Sequence, residues 1–133
     1  VNDIYVSLMR AQLREALDNG ALGLSTGLAY ANAFASTTEE VMGLAEPLAE
    51  AGAIYTTHLR TEFAAILDAM DEAYRVGKHA RVPIVISHLK CAGAANWGRA
   101  GEVLESIDDD ARIANVRGAV HELCRQFPVY RHG

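Results

Sequence analysis

The sequence predicts an α/β fold in which parallel strands alternate with helices, and three observations lead to it. Short apolar runs open near residues 21, 53 and 83, recurring after 32 and then 30 residues, the length of one strand-helix unit with short loops. Each run is followed by a segment with apolar residues at helical spacing. The runs themselves are nearly continuous in apolar residues, as strands of a helix-covered parallel sheet are, and not alternating.

The elements follow in order. Val6, Met9, Leu13, Ala16 and Leu17 fall on one face of a first helix, and Gly20 stands where a left-handed C-terminal cap belongs. Ala21 to Ser25 is too short for a helix and reads as a buried strand. A loop from Thr26 to Ser36 carries Gly27, Tyr30 and Asn32, and Thr37 with Glu40 forms a capping box that opens a second helix. Its stripe is Val41, Leu44, Ala45 and Leu48, with Pro47 inside it, where a missing backbone donor kinks or shortens the helix. Ala51-Gly52 ends that helix, and Ala53 to Thr57 is the second strand, rich in β-branched residues, with His58 at its end. Phe63, Ile66, Leu67, Met70 and Tyr74 mark a third helical stripe, closing near Gly77 and better read as core than as a cofactor box. Val82 to Ser87 is the third strand, with Pro83 tolerated at its opening, and it ends in His88.

With 133 residues, 50% of them hydrophobic, the chain has the material for one core. A formal net charge of −5 and the lack of a basic stripe exclude a nucleic-acid or anionic-membrane partner and leave small molecules. No apolar run approaches the ~20 residues that span a bilayer. Cys91 and Cys124 stand far apart, form no CxxC pair, and fit a reducing, cytoplasmic compartment. The absence of an initiator Met suggests a chain that starts inside a longer protein.

Such units build either an open doubly wound sheet or a closed barrel, and periodicity does not choose between them. The residues at the strand ends bear on the choice, because active sites of barrels are assembled at the C-terminal ends of the strands. His58 and His88 occupy equivalent positions there, each after a small hydroxyl residue (Thr57, Ser87) and each before a short polar segment. Adjacent strands lie ~5 Å apart, so the two imidazoles are expected near one point. Zinc takes nitrogen donors at ~2.0 Å from several directions, and the spacing points to a metal site. His79, His121 and His132 have no such placement and read as solvated or locally hydrogen-bonded residues.

At these residues the chain resembles the N-acyl-D-amino-acid deacylases, or D-aminoacylases, of the amidohydrolase superfamily. The resemblance is carried by Gly20 to Tyr30 (GALGLSTGLAY), Ile54 to Glu62 (IYTTHLRTE) and Val85 to Lys90 (VISHLK), with Asn96 to Arg99 (NWGR) behind, and runs to about Ile107. It implies a partial (β/α)8 TIM-type barrel over residues 1–107, whose fifth and sixth strands end in His58 and His88, both zinc ligands. It also implies that Tyr30 and Lys90 hold the substrate carboxylate, as a phenol and an ammonium can without competing for the metal. Arg60 and Glu62 read as a supporting pair or loop clamp behind the ligands. The family's remaining ligands, two histidines and a cysteine, and its general-base aspartate have no counterpart in this chain. Cys91 falls where the family has no ligand and reads as a small buried hydrophobe. After Ile107 the family pattern stops, and residues 108–133 form an atypical tail with helical spacing in Ile113, Val116, Val120, Leu123 and Phe127, interrupted by Gly118.

The resemblance implies a zinc-dependent hydrolase that cleaves an N-acyl-D-amino acid to a D-amino acid and a carboxylate, with His58 and His88 as neutral donors that transfer no proton. The chain alone is expected to bind metal weakly or not at all and to turn nothing over. Its unpaired strand edges invite self-association or docking to the missing barrel half. The alternatives are a cyclic-amide hydrolase of the hydantoinase or dihydroorotase kind, a fragment whose only role is association, and an open-sheet phosphate-binding module using Gly20 to Gly27. The last lacks both a GxGxxG or P-loop pattern and a helix directly after that segment.

Overall fold

The structure is a computed structural model, and it describes residues 3–107. The tail at 108–133, with Cys124, His121 and His132, lies outside the described residues. By contact pattern the chain divides into Val1–Gly101 and a second unit that begins at Glu102.

The element order is α1 (Asp3–Asp18), β1 (Gly23–Gly27), α2 (Thr38–Ala45), β2 (Ile54–His58), α3 (Ile66–Ala80), β3 (Ile84–Ile86) and the short α4 (Ala100–Glu105). The three strands pair in parallel in the order β1-β2-β3. This is the expected alternation, with β1 starting two residues later than the apolar run and β3 shorter than Val82 to Ser87. The pairing nonetheless extends beyond β3 at both ends, since Tyr55 N–H donates to Pro83 O (3.0 Å) and Ser87 N–H to Thr57 O (2.9 Å).

Helix ends follow the local chemistry closely. At α2 the Thr37 side chain accepts from Glu40 N–H while the Glu40 carboxylate accepts from Thr37 N–H, the full capping box. Pro47 does not kink an α-helix, because α2 stops at Ala45 and the chain tightens into a 3-10 turn over Glu46–Leu48 in which a proline ring fits near the start. Gly20 takes φ +96° just past α1, as expected of a left-handed cap. Gly77 does not close α3. The helix runs on to Ala80 and ends on Arg81 in the left-handed conformation (φ 57°). Gly77 is instead buried inside the helix, where a Cβ would lie 2.2 Å from Ile84 Cγ2, so the missing side chain lets α3 sit on β3. A Gly77→Ala variant gains about 1 kcal/mol of helix propensity but overpacks this contact, a cost of about 1–3 kcal/mol. We expect a net loss of stability, read as a lowered urea midpoint.

Leu24, Tyr55 and Ile84 lie in one row across the sheet and pack into a core with Leu13, Leu28, Val41, Ala45, Leu48, Val76 and Ala80. Met9 and Ala16, placed on the inner face of the first helix by spacing, are exposed, because only Val6 and Leu13 of α1 are buried. Phe63 precedes α3 and is exposed as well, whereas Ile66 and Met70 are fully buried. The opposite row of the sheet, Ser25, Thr56 and Val85, is covered by no helix among the described residues: Val85 is 48% exposed and Ile54 36%. Parallel sheets are ordinarily covered on both faces, and here the exposed face carries Ile54 and Val85 beside the hydroxyls of Ser25 and Thr56. No helix of the described residues is long and apolar enough to cross a membrane.

Candidate metal centre

The β2 end is fixed by a relay of hydroxyls. Tyr55, fully buried, and Thr26 bring their hydroxyls to 2.8 Å, Thr26 donates to Thr57 Oγ1 (2.8 Å), and Thr57 donates to the His58 carbonyl (2.9 Å). Leu28 N–H donates to the same carbonyl (3.3 Å). These hydrogen bonds use the polar groups of a largely buried strand end and hold the His58 backbone where the sheet stops.

His88 stands two residues past β3 with φ +42°, a conformation that costs a non-glycine residue roughly 1–2 kcal/mol. This turn brings its ring over the neighbouring strand end, 4.3 Å from the His58 ring centroid to centroid, with His58 Nδ1 facing His88 Nε2. His88 Nδ1 lies 2.9 Å from Glu62 Oε1. In the tautomer whose Nδ1–H donates to that carboxylate, Nε2 keeps its lone pair, the arrangement of metal-ligating histidines backed by a carboxylate. Lys90 Nζ donates to the other Glu62 oxygen and lies 2.9 Å from His88 Nδ1.

Tyr30 reaches the same place from the β1 side, its ring 6.0 Å from that of His58 in an edge-on arrangement. Gly27 makes this possible, since a Cβ there would come within 2.5 Å of the Tyr30 ring. A Gly27→Ala variant is expected to push the ring outward, and loss of the magnetisation transfer between the Tyr30 and His58 rings in NMR would record it.

Arg60 and Glu62 do not pair with each other, contrary to one reading of the sequence. Arg60 turns to Glu72 of α3, donating Nε to Oε2 (2.9 Å) and Nη2 to Oε1 (2.7 Å), and also donates to the carbonyls of Phe34 (2.6 Å) and Ser36 (2.8 Å). Glu62, two residues on, faces His88 and Lys90 instead. Glu72 escaped the sequence reading, although an acid between Ala69 and Val76 on the buried stripe of α3 was the available signal. Cys91 is a free, partly exposed thiol and not a buried hydrophobe. His79 is a surface residue of α3, 3.8 Å from Glu46.

The donor chemistry of the facing nitrogens suits a divalent metal, but among the described residues no group of three or more His, Cys, Asp or Glu side chains could hold one. His58 and His88 bring two ring nitrogens together, one side chain short of such a group.

Over 115 residues, 86% of this chain and 23% of the relative, the sequence is 46% identical to an N-acyl-D-aspartate deacylase of Alcaligenes xylosoxydans xylosoxydans. A D-aminoacylase of the same organism is 42% identical over 106 residues, 80% of the chain and 22% of the relative. The chain is homologous to one segment of the N-acyl-D-amino-acid deacylases. The fold agrees with the sequence. The crystal structure of the Bordetella bronchiseptica N-acyl-D-glutamate deacylase, complexed with zinc and a phosphonate inhibitor that mimics the tetrahedral intermediate, superposes with a TM-score of 0.77 at 35% identity, covering 81% of this chain and 23% of that one. The chain thus spans under a quarter of the length of the relatives it matches. No protein-family model matches the sequence.

Proposed function

We propose that this chain supplies two metal ligands and part of the substrate site to a zinc-dependent hydrolase of N-acyl-D-amino acids. The observation that carries the reading is the pair of ring nitrogens, His58 Nδ1 and His88 Nε2, facing each other across adjacent strand ends. The bare face of the sheet supports a partial (β/α)8 barrel over residues 1–107, in which the other strands of the complete barrel would cover Ile54 and Val85 and bring the missing ligands.

In that enzyme His58 and His88 hold the metal as neutral donors, and Glu62 keeps His88 in the tautomer that can bind. Zinc, when bound, would polarise the amide carbonyl and lower the pKa of water toward ~7. The general base is an aspartate expected outside this chain. Tyr30 and Lys90 orient the carboxylate of the substrate, the phenol from the β1 loop and the ammonium from beyond β3. Lys90 has three N–H donors, so its contact with Glu62 leaves others for the anion.

The test is hydrolysis of N-acyl-D-amino acids by the complete enzyme carrying this segment, with its zinc content. Zinc-dependent cleavage of the D-series with the L-series untouched supports the proposal, and activity indifferent to metal removal contradicts it. The 133-residue chain alone is expected to show no turnover, because two ligands without a general base do not make a hydrolytic site.

A further inference from the structure

We infer that Arg60 and Glu72 are a positioning pair that sets where Tyr30 stands relative to His58. Its functional meaning rests on the proposed site, but the linkage is a continuous path of hydrogen bonds. Glu72, on α3 and 7% exposed, takes two N–H groups of Arg60 and the Thr38 hydroxyl (2.9 Å). The same guanidinium donates to the carbonyls of Phe34 and Ser36. Phe34 N–H in turn donates to Tyr30 O (2.8 Å). At its other end the loop is tied by Leu28 N–H to the His58 carbonyl.

The Tyr30 ring is 59% exposed, and among the described residues no side-chain hydrogen bond holds its phenol. The place of the ring therefore follows from the backbone that Arg60 grips. Two other ion pairs, Arg10 of α1 with Glu46 of the 3-10 turn and Arg75 of α3 with Glu39 of α2, reach no loop carbonyl among the described residues. Only a planar fork serves four acceptors of this arrangement at once, which a lysine ammonium does not. Arg60 lies two residues past His58, so the residue that grips the loop is carried by the strand end that presents the proposed ligand.

The test uses the full 133-residue chain and the nuclear Overhauser contact between the Tyr30 and His58 rings. Arg60→Lys and Glu72→Gln are each expected to abolish that contact while cross-strand amide contacts of the sheet persist, and Arg75→Gln is expected to leave it in place. Retention of the contact at full strength in either folded variant overturns the inference. Should both variants unfold, the wild-type chain decides: slowly exchanging Arg60 guanidinium protons with contacts to Phe34 and Ser36 support it, and their absence overturns it. A chain in which the variants lose the ring contact but His58 and His88 ignore added zinc keeps the clamp and loses the metal site.

Discussion

Alanine at position 72 is expected to lower the stability of the chain by about 3 kcal/mol, because removing one member of a buried pair leaves the other charge without compensation. The Arg60 side chain is 22% exposed and that of Glu72 9%, so water replaces little of what is lost. Arg75 and Glu39 form the control: their side chains are 50% and 72% exposed, and breaking that pair is expected to cost less than about 1 kcal/mol. Urea unfolding of the two variants beside the parent chain measures both.

The same pair dictates a pH dependence. Burial pushes the Glu72 carboxyl up, but hydrogen bonds from Arg60 and Thr38 and the charges of Arg60 and Arg75 outweigh it and hold the group below its ordinary value. The hydrogen bond to Glu72 likewise raises Arg60, against its own desolvation, so the arginine stays charged throughout. A depressed carboxylate binds more protons unfolded than folded. Its contribution is therefore complete above its unfolded pKa of about 4.3 and is lost as pH falls through the folded value. The stability gap between the parent chain and Glu72→Ala should be constant near neutral pH and narrow below about pH 4. A gap that widens on acidification would contradict the assignment.

The second large effect concerns His58 and His88. If the proposed function holds, alanine at either position in the complete protein is expected to cut deacylation by roughly a thousandfold or more and to remove bound zinc, since each leaves the metal one donor short. The double variant should be no worse than either single one, because the two residues act as a unit. Glu62→Gln, which weakens the hold on the His88 tautomer, is expected to lower zinc affinity by about 10- to 100-fold without displacing His58.

Much of this arrangement was legible in the residues. The recurrence of apolar runs announced the strands, and Thr37 with Glu40 announced the α2 N-terminus, because both depend on local chemistry. The strand-end placement of His58 and His88 was legible for the same reason: the backbone period puts equivalent residues of adjacent units side by side. What failed were features set by packing between elements. Gly77 looked like a helix terminus because glycine often is one, but here it makes room for Ile84. Of the two readings of Arg60 and Glu62, a pair or a loop clamp, the pair fails, because an acid twelve residues from Arg60 and one layer deeper holds it. The Tyr55, Thr26 and Thr57 relay went unseen because its members belong to different strands, and register is not written in either one alone.

Titration of the 133-residue chain with zinc, followed through the imidazole proton signals, tests the shared site most directly. The signals of His58 and His88 are expected to move together over one, high, concentration range while His79 lags, and His58→Ala is expected to abolish the response of His88. Independent responses at the two rings, or a His88 response that survives the loss of His58, would contradict it.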